Sequence, residues 1–217
     1  STWVLDWVKN GFYVEPTEHV PHSRKRNASF LDPHSADFDA EMFAFADKKL
    51  KKDEKLGVIR RLGPDARPEC RPDNINRISL APKNSETEPW RLVGDCREPN
   101  KSYKSRRRVK FETLKHVKEV FEPRDWLVLA DLKAAYHSIL VQERLARQLG
   151  FVWKGICFKW LSLPFGFTES PGGFARLMKQ VVKHLRYLRR KILMFLDDGM
   201  GGHADFIGAV QERNELY

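Results

Sequence analysis

The chain has 217 residues, of which 41% are hydrophobic and 31% are charged. These proportions exclude a wholly disordered or fibrous protein, and no run of 18 apolar residues predicts a helix that spans a membrane. The net charge of +10 at pH 7 is typical of proteins that bind phosphate-rich polyanions, although a basic surface without a ligand explains the charge alone equally well.

The first 125 residues predict short elements of both types. In order, these are a helix capped by Asp37 or Asp39 and ending near Gly57, a strand at 58–60, a two-stranded ribbon at 78–92 and an amphipathic helix at 112–121. Three prolines, Pro64, Pro68 and Pro72, indicate an extended loop between the first strand and the ribbon.

The rest of the chain gives stronger signals. In order, it contains an apolar strand at 126–130, a hairpin at 149–161 with Lys154-Gly155 at its turn, a helix that begins at Ser170-Pro171 and a buried strand at 192–196. Helices and antiparallel hairpins alternate irregularly along the chain. The expected fold class is therefore α+β rather than a doubly wound parallel sheet.

Two apolar strands each end directly in carboxylates. The strand at 126–130 ends at Asp131, and the strand at 192–196 ends at Asp197-Asp198. Asp-Gly is a common hairpin turn, which is a purely structural explanation. Alternatively, the two strands are neighbours in one antiparallel sheet and present oxygen ligands to two Mg²⁺ ions about 4 Å apart. Spacing alone leaves both explanations open.

Basic residues are clustered, and the cysteines are not. Residues 171–196 contain seven Lys and Arg and no acid, and residues 101–110 are also strongly basic, so both segments indicate a path for a polyanion.

Cys70, Cys96 and Cys157 form no C-x-x-C pair or disulfide framework. We expect buried thiols in a reducing, intracellular compartment, without a choice between cytoplasm, nucleus and organelle.

Four motifs, taken in order, resemble those of reverse transcriptases. They are WRLVGDCREPNK at 90–101, DLKAAY at 131–136, LPFG at 163–166 followed by Ser170-Pro171 and Phe174, and FLDD at 195–198. They are similar to the family patterns W-R-x-x-x-D-x-R-x-x-N-K, D-x-x-x-A-Y/F, L-P-x-G…S-P…F and aromatic-x-D-D. The LPFG sequence and the leucine before the two aspartates are most similar to tyrosine-recombinase (DIRS-like) retrotransposons or related retroelements.

This resemblance implies a right-hand polymerase architecture, with fingers and an antiparallel palm sheet backed by helices. It implies an N-terminal extension with the first finger helix at 1–57, fingers at 58–125 and an incomplete palm at 126–217, in which elements at 142–165 interleave as part of the fingers. Only 19 residues follow Asp198, so we expect this chain to lack the thumb.

The resemblance also assigns roles to matching residues. Asp131, Asp197 and Asp198 are the implied catalytic residues, and together with the Leu132 carbonyl they are the implied ligands of two Mg²⁺ ions. The implied nucleotide-binding residues are Lys83, Arg91, Ala135, Tyr136, Phe165 and Gly166. Lys83 and Arg91 would meet the triphosphate, and the Tyr136 ring would collide with a 2′-hydroxyl and so favour deoxynucleotides. Position 134 is alanine where the family often has aspartate, which weakens the match.

Two functions follow from these assignments. The first is an RNA-directed DNA polymerase domain that adds deoxynucleotides to a primer, with RNA or an RNA–DNA hybrid and deoxynucleoside triphosphates as partners. The second is a catalytically retired module that serves as a structural or RNA-binding subunit of a larger protein or ribonucleoprotein assembly. The three acids favour the first function, and the short palm favours the second. An RNA-dependent RNA polymerase fits less well because of the aromatic ring of Tyr136.

Overall fold

The structure is a computed structural model that describes residues 2–17, 38–85, 88–103 and 110–216. The helices are α1 (Thr2–Asn10), α2 (Ala40–Lys55), α3 (Arg97–Ser102), α4 (Val117–Val120), α5 (Glu143–Ala146), α6 (Ser170–Tyr187) and α7 (Phe206–Leu216). The strands are β1 (Ile59–Pro64), β2 (Ile75–Pro82), β3 (Trp90–Asp95), β4 (Trp126–Asp131), β5 (Gly150–Trp153), β6 (Ile156–Trp160), β7 (Lys191–Phe195) and β8 (Asp198–His203). The α+β class is confirmed.

The chain divides into two compact units. The first unit comprises residues 1–105 and 136–170, and the second comprises 106–135 and 171–217. The expected division into extension, fingers and palm stays a prediction. The alternative cap Asp37 and most of the basic segment 101–110 lie outside the described residues. In the described ranges, no helix is both long and apolar enough to cross a membrane.

The first unit contains a five-stranded sheet in the order β1-β6-β5-β2-β3. All neighbours are antiparallel except β2 and β5. Its core includes Phe151 and Phe158, whose rings stack with centroids 5.4 Å apart. The two-stranded ribbon and the hairpin turn were correctly predicted: β2 pairs with β3, and Lys154 and Gly155 both have positive φ.

Helix α2 begins where the sequence predicts. The Asp39 side chain accepts a hydrogen bond from the backbone N–H of Met42 at 2.8 Å, which satisfies one of the unpaired donors of the first turn. The predicted proline-rich loop after β1 contains a short 3₁₀ turn at Pro68–Cys70. All three cysteines are free; Cys96 and Cys157 are buried as expected, but Cys70 is only half-buried.

The second unit contains a three-stranded antiparallel sheet in the order β4-β8-β7. The prediction that the strands ending at Asp131 and Asp197 are direct neighbours is wrong, because β8 lies between β4 and β7. Helix α7 packs on β4 and β8. The prediction of a single amphipathic helix at 112–121 is also wrong, because a 3₁₀ turn at Leu114–His116 is followed by the one-turn helix α4.

The burial of β4 differs from the prediction as well. Trp126, Leu127 and Leu129 are 53%, 50% and 70% exposed. A continuous apolar run predicts a strand covered on both faces, but among the described strands β4 lies at the edge of its sheet and pairs with β8 alone. By contrast, Ile192 and Leu193 of β7 are buried, as the sequence predicts.

Candidate active site

The three predicted catalytic carboxylates lie at one end of the sheet in the second unit. Asp131, the last residue of β4, is the register partner of Asp198, the first residue of β8. The backbone N–H of Leu132 donates a hydrogen bond to the Asp197 carbonyl at 2.9 Å. The backbone therefore brings together Asp131, Leu132, Asp197 and Asp198, although they come from segments about 65 residues apart in the sequence.

A tight turn produces this arrangement. Leu196 and Asp197 connect β7 to β8, and Phe195 pairs with Asp198 across the turn. Leu196 has φ +54, in the left-handed region that a leucine seldom adopts. Such a conformation costs free energy and persists only where the surrounding structure holds it. In this turn, it places two aspartates beside the end of β4.

Strand register determines which side chains share a face of the sheet. Directly paired residues of antiparallel strands point to the same face, so Asp131 and Asp198 share one face. Met194, Gly199 and Ala130 share the opposite face: a Cβ added at Gly199 would lie 2.8 Å from the Met194 sulfur and 3.7 Å from the Ala130 Cβ. Asp131 and Asp198 thus lie on the face opposite to Met194, which they share with Phe195.

The carboxylates suit divalent metal by chemistry but are not assembled as a ligand set. Asp131 and Asp198 are exposed and Asp197 is half-buried, and none of the three makes a side-chain hydrogen bond or ion pair with the part of the chain that the structure describes. Hard carboxylate oxygens are the ligands that Mg²⁺ prefers. However, within the described residues no group of three or more His, Cys, Asp or Glu side chains is arranged to hold a metal ion.

A second cluster of predicted residues lies in the first unit. The Arg91 guanidinium lies over the Phe165 ring, 4.5 Å from its centroid, and the Tyr136 ring packs against Phe165 at 4.9 Å. Arg91 projects from β3, and Tyr136 belongs to a 3₁₀ turn at Ala135–Ser138. A cation–π contact restricts the guanidinium without consuming its hydrogen-bond donors, so they remain available to an anion.

Gly166 has a structural reason to be glycine. Its φ is +100, and an added Cβ would lie 2.0 Å from the Gly94 carbonyl oxygen. The backbone N–H of Gly94 donates to the Phe165 carbonyl at 3.0 Å, and the Asn100 side chain donates to the Gly166 carbonyl at 2.9 Å. Asn100 also accepts a hydrogen bond from the Thr168 N–H at 2.8 Å. These contacts dock the loop that carries Phe165 onto β3.

Three residues of this cluster received no role from the sequence. Gly94 and Asn100 belong to the fingers motif, but only the structure reveals their contacts with the 165–168 loop. His137 packs against Phe165 and Trp160, with ring centroids 5.6 Å away in both cases. Burial lowers the pKa of His137 to about 4, so the ring is neutral at physiological pH. The sequence signal that could have identified His137 is its position directly after Tyr136.

Two predicted residues are less closely associated with these clusters. Lys83 lies just beyond β2 with an exposed side chain, and its backbone N–H donates to the Pro89 carbonyl at 2.7 Å within the ribbon. Ala135 is buried and belongs to the second unit. The roles of both in nucleotide binding stay predictions, as do those of the other site residues.

Comparisons with known proteins agree with the motifs. The family model for reverse transcriptase (RNA-dependent DNA polymerase) matches residues 81–205. The sequence has no significant match among curated proteins. Two solved structures are similar: native prototype foamy virus protease-reverse transcriptase (TM-score 0.65, 20% identity, 92% of this chain covered), and foamy viral protease-reverse transcriptase dRH in complex with double-stranded DNA (TM-score 0.67, 17% identity, 98% covered).

The likeness to these structures concerns the fold, and it confirms the expected fold of polymerase fingers and palm. This chain spans 24% of the first foamy virus chain and 36% of the second. The finer assignment to tyrosine-recombinase retrotransposons stays a prediction. The family model covers more than half of the 217 residues, and the chain therefore belongs to the reverse transcriptase (RNA-dependent DNA polymerase) family.

Proposed function

We propose that this chain is a catalytic fingers-and-palm portion of an RNA-directed DNA polymerase, which adds deoxynucleotides to a primer 3′ end by phosphoryl transfer with two metal ions. The observation that carries the proposal is the pairing of Asp131 with Asp198 at one end of the β4–β8 ladder, next to the turn that contains Asp197. Three acids at one sheet end, without a side-chain partner among the described residues, contribute nothing evident to folding, whereas a polymerase requires them.

The proposed metal ligands are Asp131, Asp197, Asp198 and the Leu132 carbonyl. Two bound Mg²⁺ ions would stabilise the charge on the attacking and leaving oxygens of the transfer. The chain's own residues hold the substrate: Arg91, restrained by Phe165, is positioned to bind phosphate oxygens in a bidentate manner, with Lys83 as a further cation. Tyr136 is the proposed barrier to ribonucleotides.

The proposed partners are RNA or an RNA–DNA hybrid and deoxynucleoside triphosphates. The foamy viral relative was solved with double-stranded DNA, which supports nucleic-acid binding by a protein of this fold. The net charge of +10 supports the same partner class. The free cysteines support an intracellular, reducing location. A larger protein or ribonucleoprotein assembly would contain the chain.

One observation favours the alternative, a retired module that keeps only a structural or RNA-binding role. The carboxylates do not form a three-membered ligand group among the described residues. The two functions differ in what metal should do: a working polymerase needs metal to draw the carboxylates together, whereas a retired module binds nucleic acid independently of metal.

The deciding experiment compares the wild type with Asp197→Asn, on this chain and, where the gene continues past residue 217, on the longer form. With an RNA template, a primer and labelled deoxynucleotides, we expect incorporation that depends on Mg²⁺. Asp197→Asn should reduce the rate by about 10²–10³ or more, because one charge is lost from the metal clamp. Mn²⁺-induced broadening of NMR signals near residue 131 should weaken in the same variant.

Glu119→Gln is the control, since Glu119 is an exposed acid of the same unit outside the carboxylate cluster. This variant should keep both incorporation and metal binding. If both forms of the chain lack incorporation and Mn²⁺ causes no broadening near residue 131, the polymerase proposal fails. RNA binding that persists in that case, equal in wild type and Asp197→Asn, identifies the retired module.

A further inference from the structure

A groove of about 530 Å³ lies within the second unit, along one side of α6. Its apolar surface includes Phe111, Met178 and Met194, and its rim carries Lys110, Lys179 and Lys183. We name it the α6 groove. We propose that the α6 groove binds an acidic protein segment. Apolar side chains of this partner would pack against the methionines, and its carboxylates would form ion pairs with the three lysines.

One wall of the groove faces away from the proposed chemistry. Met194, part of the groove wall, lies on the face of the sheet opposite to Asp131 and Asp198. On the side of Met194 the α6 groove thus offers a binding surface that faces away from the carboxylates. Its other end borders the turn that carries them, because Leu196 lines the groove and Phe111 contacts Phe195.

The positive charges that line the groove favour an anionic partner. Lys110, Lys179 and Lys183 make no ion pair or side-chain hydrogen bond within the described ranges. The acid in the groove, Glu112, is already neutralised: it pairs with Arg186 at 2.8 Å and accepts a hydrogen bond from the Met194 N–H at 2.9 Å. An incoming carboxylate thus meets three available cations, and the nearby acid already has its partners.

The surface chemistry favours a peptide over single-stranded nucleic acid. Methionines adapt to different apolar side chains and are frequent on surfaces that bind peptides. Single strands are usually held by several aromatic rings on which bases stack. The α6 groove offers the Phe111 ring, which is already in an edge contact with Phe195 at 6.0 Å, and the His116 imidazole, whose Nδ1 already accepts a hydrogen bond from the Thr113 N–H at 2.9 Å. The volume is within the range of pockets that bury small ligands or anchor side chains.

The test is selection of 12-residue peptides from a random display library on the intact chain. We expect enrichment of peptides that combine Asp or Glu with Leu, Met or Phe. The double variant Lys179→Glu/Lys183→Glu should weaken binding of a selected, labelled peptide by at least about tenfold, because attraction becomes repulsion. Replacing the acids of the peptide by amides should weaken it similarly.

The matched control is Lys115→Glu/Lys118→Glu, which makes the same change in net charge at exposed lysines outside the groove. It should change peptide affinity less than about twofold. A labelled 12-nucleotide single-stranded RNA is titrated in parallel. No enrichment of acidic peptides, equal loss in both double variants, or stronger RNA than peptide binding at the Lys179/Lys183 site would each overturn the proposal.

Discussion

Single residues determine the substrate preference that we expect at the nucleotide cluster. Tyr136 packs on Phe165 and is half-buried, so its ring is held in place. In the proposed polymerase, Tyr136→Ala should leave deoxynucleotide incorporation detectable and raise relative ribonucleotide incorporation by about tenfold or more, because the steric conflict with the 2′-hydroxyl is removed. Primer extension with each nucleotide type measures the ratio.

Tyr187→Ala provides the matched control, since Tyr187 is an aromatic residue that is 80% exposed in the second unit. This variant should leave the sugar preference unchanged. An unchanged ratio in Tyr136→Ala would show that discrimination, if present, comes from another residue.

His137 makes stability depend on pH. Its pKa falls to about 4 through burial, which outweighs the nearby Asp53 charge, whereas an unfolded histidine titrates near 6.5. Between these two pKa values, the unfolded chain binds more protons than the folded chain, so the free energy of unfolding decreases as pH falls from 6.5 towards 4. The total loss from this residue is about 3 kcal/mol, and it is reached below pH 4. In urea unfolding of His137→Phe, this part of the pH dependence should disappear.

The comparison for that experiment is His184→Phe, at an exposed position on α6. It should retain the pH dependence of the wild type. Carboxylates also contribute to acid unfolding. The informative quantity is therefore the difference between each variant and the wild type in the pH dependence of the free energy of unfolding. Parallel curves for wild type and His137→Phe would contradict the burial of a neutral histidine.

At the scale of elements, the docking of the 165–168 loop on β3 depends on Gly166. An alanine there suffers both a φ of +100 and overlap with the Gly94 carbonyl. We expect Gly166→Ala to lower the free energy of unfolding by about 3 kcal/mol or more, since strain and steric conflict add. The urea midpoint measures this loss.

Gly155→Ala separates the two effects. Gly155 has φ +69, but an added Cβ meets no atom within 4 Å. Only the backbone strain remains, and the expected cost is about 1 kcal/mol. Equal losses in both variants would mean that the loop can move away from β3 without penalty.

At the scale of the whole molecule, net charge should govern affinity for nucleic acid. For a labelled RNA or RNA–DNA hybrid, we expect affinity to fall at least about tenfold between 50 and 200 mM salt, because bound phosphates release counterions. Fluorescence anisotropy at several salt concentrations gives the slope. A flat profile would contradict binding through phosphates. Swapping the sequence of the duplex should have little effect, since phosphate contacts carry no sequence information.

Local signals explain what was predictable in the fold. Asp39 caps α2 through its own side chain, and Lys154-Gly155 forms the turn between two apolar runs; both depend on residues within a few positions. Strand β8 gave no such signal, because DGMGGH lacks an apolar alternation. Gly202 is explained by a contact with a distant residue: a Cβ there would lie 2.6 Å from the Phe121 ring.

The sequence by itself determined the family motifs, the α+β class and the identity of the acids and cations, because these depend on residue type and order. Only the tertiary structure decided that β8 separates β4 from β7 and pairs Asp198 with Asp131. It alone decided that Met194 and the carboxylates lie on opposite faces of one sheet. Strand order and register arise from long-range packing, and a one-residue shift in register would exchange those faces without changing any local pattern.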